Sequence, residues 1–165
     1  MKIKAISLWQ PWASLIAVGA KKYETRSWAT SYRGPLLICA AKGGLSKQNF
    51  FTIVLASPAM RDALRPLLDY PPELELNSYL WAHRLERDLP FGKAAAVVDL
   101  TDCIQTELFK RGHPEFLREV SLGDFSSGRY AWKLENVRAI EPFPVKGRQR
   151  LFEVELSEEL LRRTP

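Results

Sequence analysis

Cysteine and histidine are scarce in this chain, with two of each among 165 residues. Cys39 and Cys103 are too few for a disulfide framework. With His83 and His113 they form no C-x-x-C or H-x-x-x-H spacing, so the sequence offers no zinc site and points to no metal. The histidines also stand apart from every motif described below, which disfavours a nucleophile worked through a histidine relay. There is no G-x-S-x-G elbow, Walker loop or dinucleotide glycine pattern, and no cofactor is implied. Long apolar runs are missing as well. None approaches the roughly 18 residues that a membrane helix needs. The apolar stretch after Met1-Lys2-Ile3-Lys4 is broken by Gln10 and Pro11, too soon for the apolar region of an export signal. The expectation is a cytoplasmic protein that meets no membrane and keeps both thiols reduced.

What is present suits a globular fold. Hydrophobic residues make up 46% of the chain and charged residues 26%, enough apolar material to read residues 1–165 as one domain with a sizeable core. The net charge is +5, but its distribution is more telling. Up to Phe50 there are eight Lys or Arg and a single acid, Glu24, whereas the next fifty residues carry five bases and seven acids and the remainder eleven of each. An excess of this kind fits a polyanionic partner, since phosphate neutralisation supplies most non-specific nucleic-acid affinity. A solvated basic face would show the same pattern.

Periodicity divides the chain into short elements. Residues 2–8 alternate imperfectly and read as a strand. Trp9-Gln10-Pro11-Trp12 opens a helix with proline near its first turn, and Gly19 is placed to end it. Strands follow at 23–27 and at the strongly apolar 36–41. Ser46 and Ser57 can each cap a helix, and these helices, together with the proline-flanked stretch up to Pro90, read as an insertion at about 45–87. Residues 94–100, 130–137 and 151–156 complete the strands. A helix at 106–120 is broken by Gly112 and Pro114, and a last short helix spans 157–162. Strands scattered among helices, without regular alternation, argue for an α+β barrel over a doubly wound sheet.

Gly19-Ala20-Lys21-Lys22-Tyr23-Glu24-Thr25-Arg26 has the form G-x-K-x-x-E-x-R and lies between a helix end and a strand, where a loop can face a ligand. Through this segment the chain resembles the ASCH family. The resemblance extends to Ile6-Ser7-Leu8-Trp9-Gln10-Pro11-Trp12-Ala13, Ser27-Trp28 and Tyr32-Arg33-Gly34-Pro35-Leu36-Leu37-Ile38. Later it takes in Gly123-Asp124-Phe125-Ser126-Ser127-Gly128-Arg129-Tyr130-Ala131-Trp132 and Pro144-Val145-Lys146-Gly147-Arg148-Gln149. It implies a PUA-like mixed β-barrel with flanking helices and a cleft between the first helix and the strands, associated with RNA binding. In some members it implies hydrolysis of RNA or removal of an acyl group from acetylated cytidine. Relatives often carry His at Cys39, Pro at Ser127 and Gly at Arg150, and deacylating relatives tend to have Thr where Glu24 stands.

The residues themselves leave alternatives open. Glu24 and Arg26 share one strand face, while Lys21 lies in the preceding turn, where Lys22 and Arg26 would lower its pKa towards that of a base or nucleophile. An Arg26 to Glu24 ion pair supporting the rim, with Lys21 solvated, fits equally. Trp9 or Trp28 could stack a base, whereas Trp12 reads as core. The candidate ligand contacts are Trp9, Gln10, Lys21, Arg26, Trp28, Lys42, Arg129 and Arg148. For catalysis the candidates are Lys21 and Glu24 as base and acid, assisted by Ser126 or Tyr130. Three functions compete: a module binding RNA or a nucleotide-like ligand, a small hydrolase with or without metal assistance, and a protein-interaction domain using its basic face.

Overall fold

The computed structural model of the chain describes residues 1–68 and 78–156. The Pro71-Pro72 segment and the helix expected at 157–162 lie outside the described residues. Strand β1 (Lys2–Leu8) leads into helix α1 (Trp12–Ala17) and strands β2 (Tyr23–Arg26) and β3 (Gly34–Ala40). Helices α2 (Lys47–Ala56), α3 (Pro58–Leu64) and α4 (Ser78–Asp88) fall between β3 and the long β4 (Ala94–Gln105). Short helices α5 (Thr106–Lys110) and α6 (Phe116–Val120) precede β5 (Tyr130–Ala139) and β6 (Leu151–Glu155).

The strands form one six-stranded mixed sheet in the order β2-β5-β4-β3-β1-β6. Among the described residues only β1 and β3 pair in parallel, with Ile6 opposite Ile38; the other ladders are antiparallel. The sheet is strongly curled. In a flat sheet β2 and β1, four places apart, would be separated by roughly 19 Å, yet Arg26 Nη2 donates to the Ser7 carbonyl at 2.9 Å. That bond joins the two strands across the concave side and creates the cleft described below.

Both faces of the central strands are covered, which explains why 36–40 is apolar without alternation. Leu36, Ile38 and Ala40 pack with Ala13 and Ile16 of α1, while Leu37 and Cys39 point to a second cluster with Ile3 and Phe152. Helix α1 is therefore a wedge. Its Leu15 faces a third cluster built from Phe50 and Val54 of α2, Met60 and Leu64 of α3, and Trp81 and Leu85 of α4. Ser46 and Ser57 cap α2 and α3 by accepting from the amides of Asn49 and Met60. On the far side of β2, Tyr23, Phe109, Phe125 and Ala131 make a small aromatic core under α5 and α6.

Cys39 and Cys103 are free thiols, and burial pushes the Cys39 thiol up to about 12. Among the described residues no helix is long and apolar enough to cross a membrane.

Candidate functional site

Helix α1 ends where Gly19, at φ +73°, turns the chain so that its amide donates to the Ile16 carbonyl and those of Ala20 and Lys21 to Leu15. The turn sends Lys21 inward. The sequence allows Lys21 either to face a ligand in the cleft or to be solvated; it is 1% exposed and lies on the floor of a cleft of about 290 Å³. Trp9, Trp12, Glu24, Arg26, Gly123 and Arg129 complete most of the walls.

Glu119 of α6, buried in the small aromatic core's neighbourhood, fixes this turn from behind. Its two carboxylate oxygens accept from the amides of Lys22 (2.9 Å) and Tyr23 (3.2 Å), the first residues leading into β2. Burial pushes the Glu119 carboxyl up, against the two amides and the nearby Lys21 charge, which hold it down. Lys22, by contrast, points away and pairs with Glu115 at 2.6 Å.

Burial is also the main influence on Lys21. It holds the ammonium below the ordinary lysine value of 10.5, opposed by Glu24 and Glu119 and reinforced by Arg129. The direction is the one expected from sequence, but the cause is different: desolvation dominates, and neither Lys22 nor Arg26 contributes. Nζ sits 5.5 Å from the Phe125 ring centroid, close enough for a cation–π contact, and has no hydrogen-bond partner among the described residues.

Three more buried polar atoms on the cleft share that condition: Ser7 Oγ, Arg26 Nε and Arg129 Nε. The two guanidinium groups are otherwise well held. Arg26 Nε lies 3.7 Å from Glu24 Oε1, an ion pair too long for a hydrogen bond, while Nη2 donates to the Ser7 carbonyl, and Arg129 donates to the Thr25 carbonyl at 2.9 Å and lies 3.4 Å from Asp124. Asp124 is kept below the usual carboxylate range chiefly by the Ser126 amide, with Arg129 adding to the effect. Buried polar atoms are nearly always satisfied in folded proteins. Several unsatisfied donors on one concavity mark it as a place for an acceptor-rich group.

The expected site residues therefore divide. Lys21, Glu24, Arg26, Arg129 and Trp9 share the cleft, and Trp12, expected to be core alone, both packs against the helical cluster and lines it. Gln10 and Lys42 instead line a separate hollow with Trp9. Trp28 does not line the cleft; it packs edge-on against Trp132, with ring centroids 4.7 Å apart, under the Arg150 guanidinium. Ser126 is exposed on the turn beyond Asp124, and Tyr130, opposite Arg26 on β5, packs against the sheet core. Arg148 is exposed on the loop before β6 and does not line the cleft, although its neighbour Gly147 lies against Ser7, which does. Sequence reasoning did not pick out Ser7, Thr25, Asp124 or Glu119. For Glu119 the signal was available, because it falls three residues after Phe116 on the apolar face of a short helix.

Comparisons with known proteins agree with this architecture. Activating signal cointegrator 1 of Homo sapiens is 27% identical over 151 residues, and that of Mus musculus 26%; each match covers 91% of this chain. The chain spans 22% of the length of these curated relatives. The crystal structure of ASCH from Zymomonas mobilis shares the fold, with a TM-score of 0.51 at 15% identity, covering 98% of this chain and 95% of that one. The ASCH domain matches residues 6–144, from the middle of β1 to the loop before β6, and so takes in every residue of the cleft. On that match the chain belongs to the ASCH domain family, a PUA-like class of domain.

Proposed function

We propose that the cleft over Lys21 binds a single nucleotide-sized unit, either free or within RNA, and that the curled sheet acts as the PUA-like barrel that frames it. The observation that carries this reading is the convergence of Lys21 Nζ, Arg26 Nε, Arg129 Nε and Ser7 Oγ, all buried and without hydrogen-bond partners, on one cavity. A volume of about 290 Å³ is at the lower end for small-molecule pockets, suited to a base or nucleoside and too small for a duplex. Trp9, 49% exposed beside these donors, offers an aromatic surface of the kind that accepts a stacked base. Most of the basic residues up to Phe50 are ion-paired within the fold, so the longer-range attraction for phosphate rests on the net charge of +5.

A second reading, hydrolysis in the same cleft, is favoured by Lys21 itself. A lysine held below its ordinary pKa by burial, with Glu24 in electrostatic contact, has the character of a general base or nucleophile. Acylated cytidine or RNA would be the substrate class. One experiment addresses both readings: the purified protein is titrated with cytidine, its monophosphate, acylated cytidines and short RNAs, and products are resolved by mass spectrometry. Saturable binding that weakens with salt for the phosphate-bearing ligands is expected, and turnover of an acylated cytidine would promote the second reading to the first. Absence of binding by every member of the panel would overturn both.

A further inference from the structure

A second hollow of about 220 Å³ opens on the other side of Trp9, lined by Gln10, Lys42, Lys47, Phe50, Glu86 and Phe91 among others. Trp9 is the wall that the hollow and the Lys21 cleft share. The indole is half exposed but closely held. Gly44, at φ +137°, lies so near its pyrrole ring that a Cβ there would collide with Nε1, Cδ1 and Cε2. The loop has thus been shaped to position an aromatic side chain that the hydrophobic core does not need.

Gln10 supplies an independent observation. It is 2% exposed, and while its Oε1 accepts from the Ser14 amide at 3.2 Å, Nε2 has no partner among the described residues. A buried amide donor on a cavity wall calls for an acceptor in the cavity. The charges on the rim are unequal. Lys47 is neutralised by Glu86 at 2.9 Å, and Glu86 also faces His83 at 3.9 Å, whereas Lys42 is exposed and has no ion pair among the described residues.

We infer that this hollow is an adjoining subsite, and that the ligand is a single strand whose neighbouring nucleotides occupy the two cavities on either side of Trp9. The inference rests on the nucleotide reading of the Lys21 cleft and deepens it to a short single-stranded RNA. Neither cavity exceeds the space for one nucleotide unit, so a ligand reaching both must be at least two units long. A base in the second hollow lies between Trp9 and Phe91 with a ring carbonyl accepting from Gln10 Nε2, and Lys42 neutralises the phosphate at its rim. Stacking of this kind tolerates any base.

The test measures affinity, by calorimetry at fixed salt, for cytidine 5′-monophosphate and for oligocytidylates of two, three and four nucleotides. The expected result is a gain of about tenfold at the step from one nucleotide to two, the scale of one stacked base, with smaller gains beyond. Lys42→Ala, an exposed position where folding is not at issue, and Gln10→Leu should each bring the two-to-one affinity ratio back towards unity. Equal affinity for one and two nucleotides, or a ratio unmoved by both variants, would overturn the second subsite while leaving the Lys21 cleft in place. If not even the monophosphate binds, the nucleotide reading fails and the subsite with it.

Discussion

Lys21 occupies a position that is unfavourable for a lysine, and that is its main functional signature. Its ammonium is fully buried, faces Glu24, Glu119, Arg129 and the Phe125 ring, and donates no hydrogen bond to any of them. Because folding depresses its pKa, the unfolded chain holds more protons than the folded one between the lowered value and 10.5. Stability contributed by this site therefore rises with pH across that window; below it the full cost of the buried charge is present, and above 10.5 none is. Lys21→Met is accordingly expected to stabilise the fold at pH 7 by about 1–3 kcal/mol, the cost of an unsatisfied buried donor, and to lose that part of the alkaline rise. Urea denaturation at a series of pH values from 7 up to about 10.5, the ordinary lysine value, checks both. Gly123 gives a gentler perturbation. A Cβ there would come within 2.5 Å of Lys21 Nζ, the tip of a flexible side chain that can move aside. Gly123→Ala should thus cost under about 1 kcal/mol of stability yet weaken nucleotide binding about tenfold, measured by calorimetry.

At the scale of elements, α6 sets the position of the proposed site without lining the cleft. Glu119→Ala would strip the Lys22 and Tyr23 amides of their shared acceptor and is expected to destabilise the fold by about 2–4 kcal/mol, since a fully orphaned buried donor such as the Tyr23 amide costs about 1–3 and the part-buried Lys22 amide less. An unchanged urea midpoint would contradict that role. Most elements were legible in the sequence. The alternation at 2–8, the apolar run after Pro35 and the two serine caps each led to an element that is there. Helix α4 falls within the helical insertion expected at about 45–87 but has no bounds of its own there, because prolines flank it and its buried residues Trp81, Ala82 and Leu85 form a narrow stripe in a charged helix. The last five residues of β4 were missed for another reason: residues 101–105 are largely polar and solvent-facing, and β4 changes register against β5 at two bulges. In the site, the G-x-K-x-x-E-x-R spacing led to Lys21, Glu24 and Arg26, but not to the burial of Lys21. A charged residue after a helix-ending glycine reads as solvated, and only α6 and the turn at Gly123, both about a hundred residues away in sequence, enclose it.

For the molecule as a whole, the proposed function depends on that curl. Arg26 spans from β2 to β1, tying the sheet across the cleft through the Ser7 carbonyl while remaining close to Glu24. Arg26→Ala removes both contacts and leaves Glu24, 8% exposed, without its guanidinium. It is expected to lower stability by about 1–3 kcal/mol and to weaken binding as well, in contrast to Lys21→Met, for which the two quantities part. A loss of affinity with full stability would show that Arg26 serves ligand alone. The central claim is that Lys21 is buried for the sake of a ligand and not of the scaffold. Its most direct test is calorimetric titration of cytidine 5′-monophosphate into the wild-type protein and Lys21→Met under identical salt and pH, with unfolding curves taken on the same samples. The account requires an affinity at least about tenfold weaker in the variant, together with a fold at least as stable as the wild type. An unchanged affinity, or one that falls only as the variant unfolds, would contradict it.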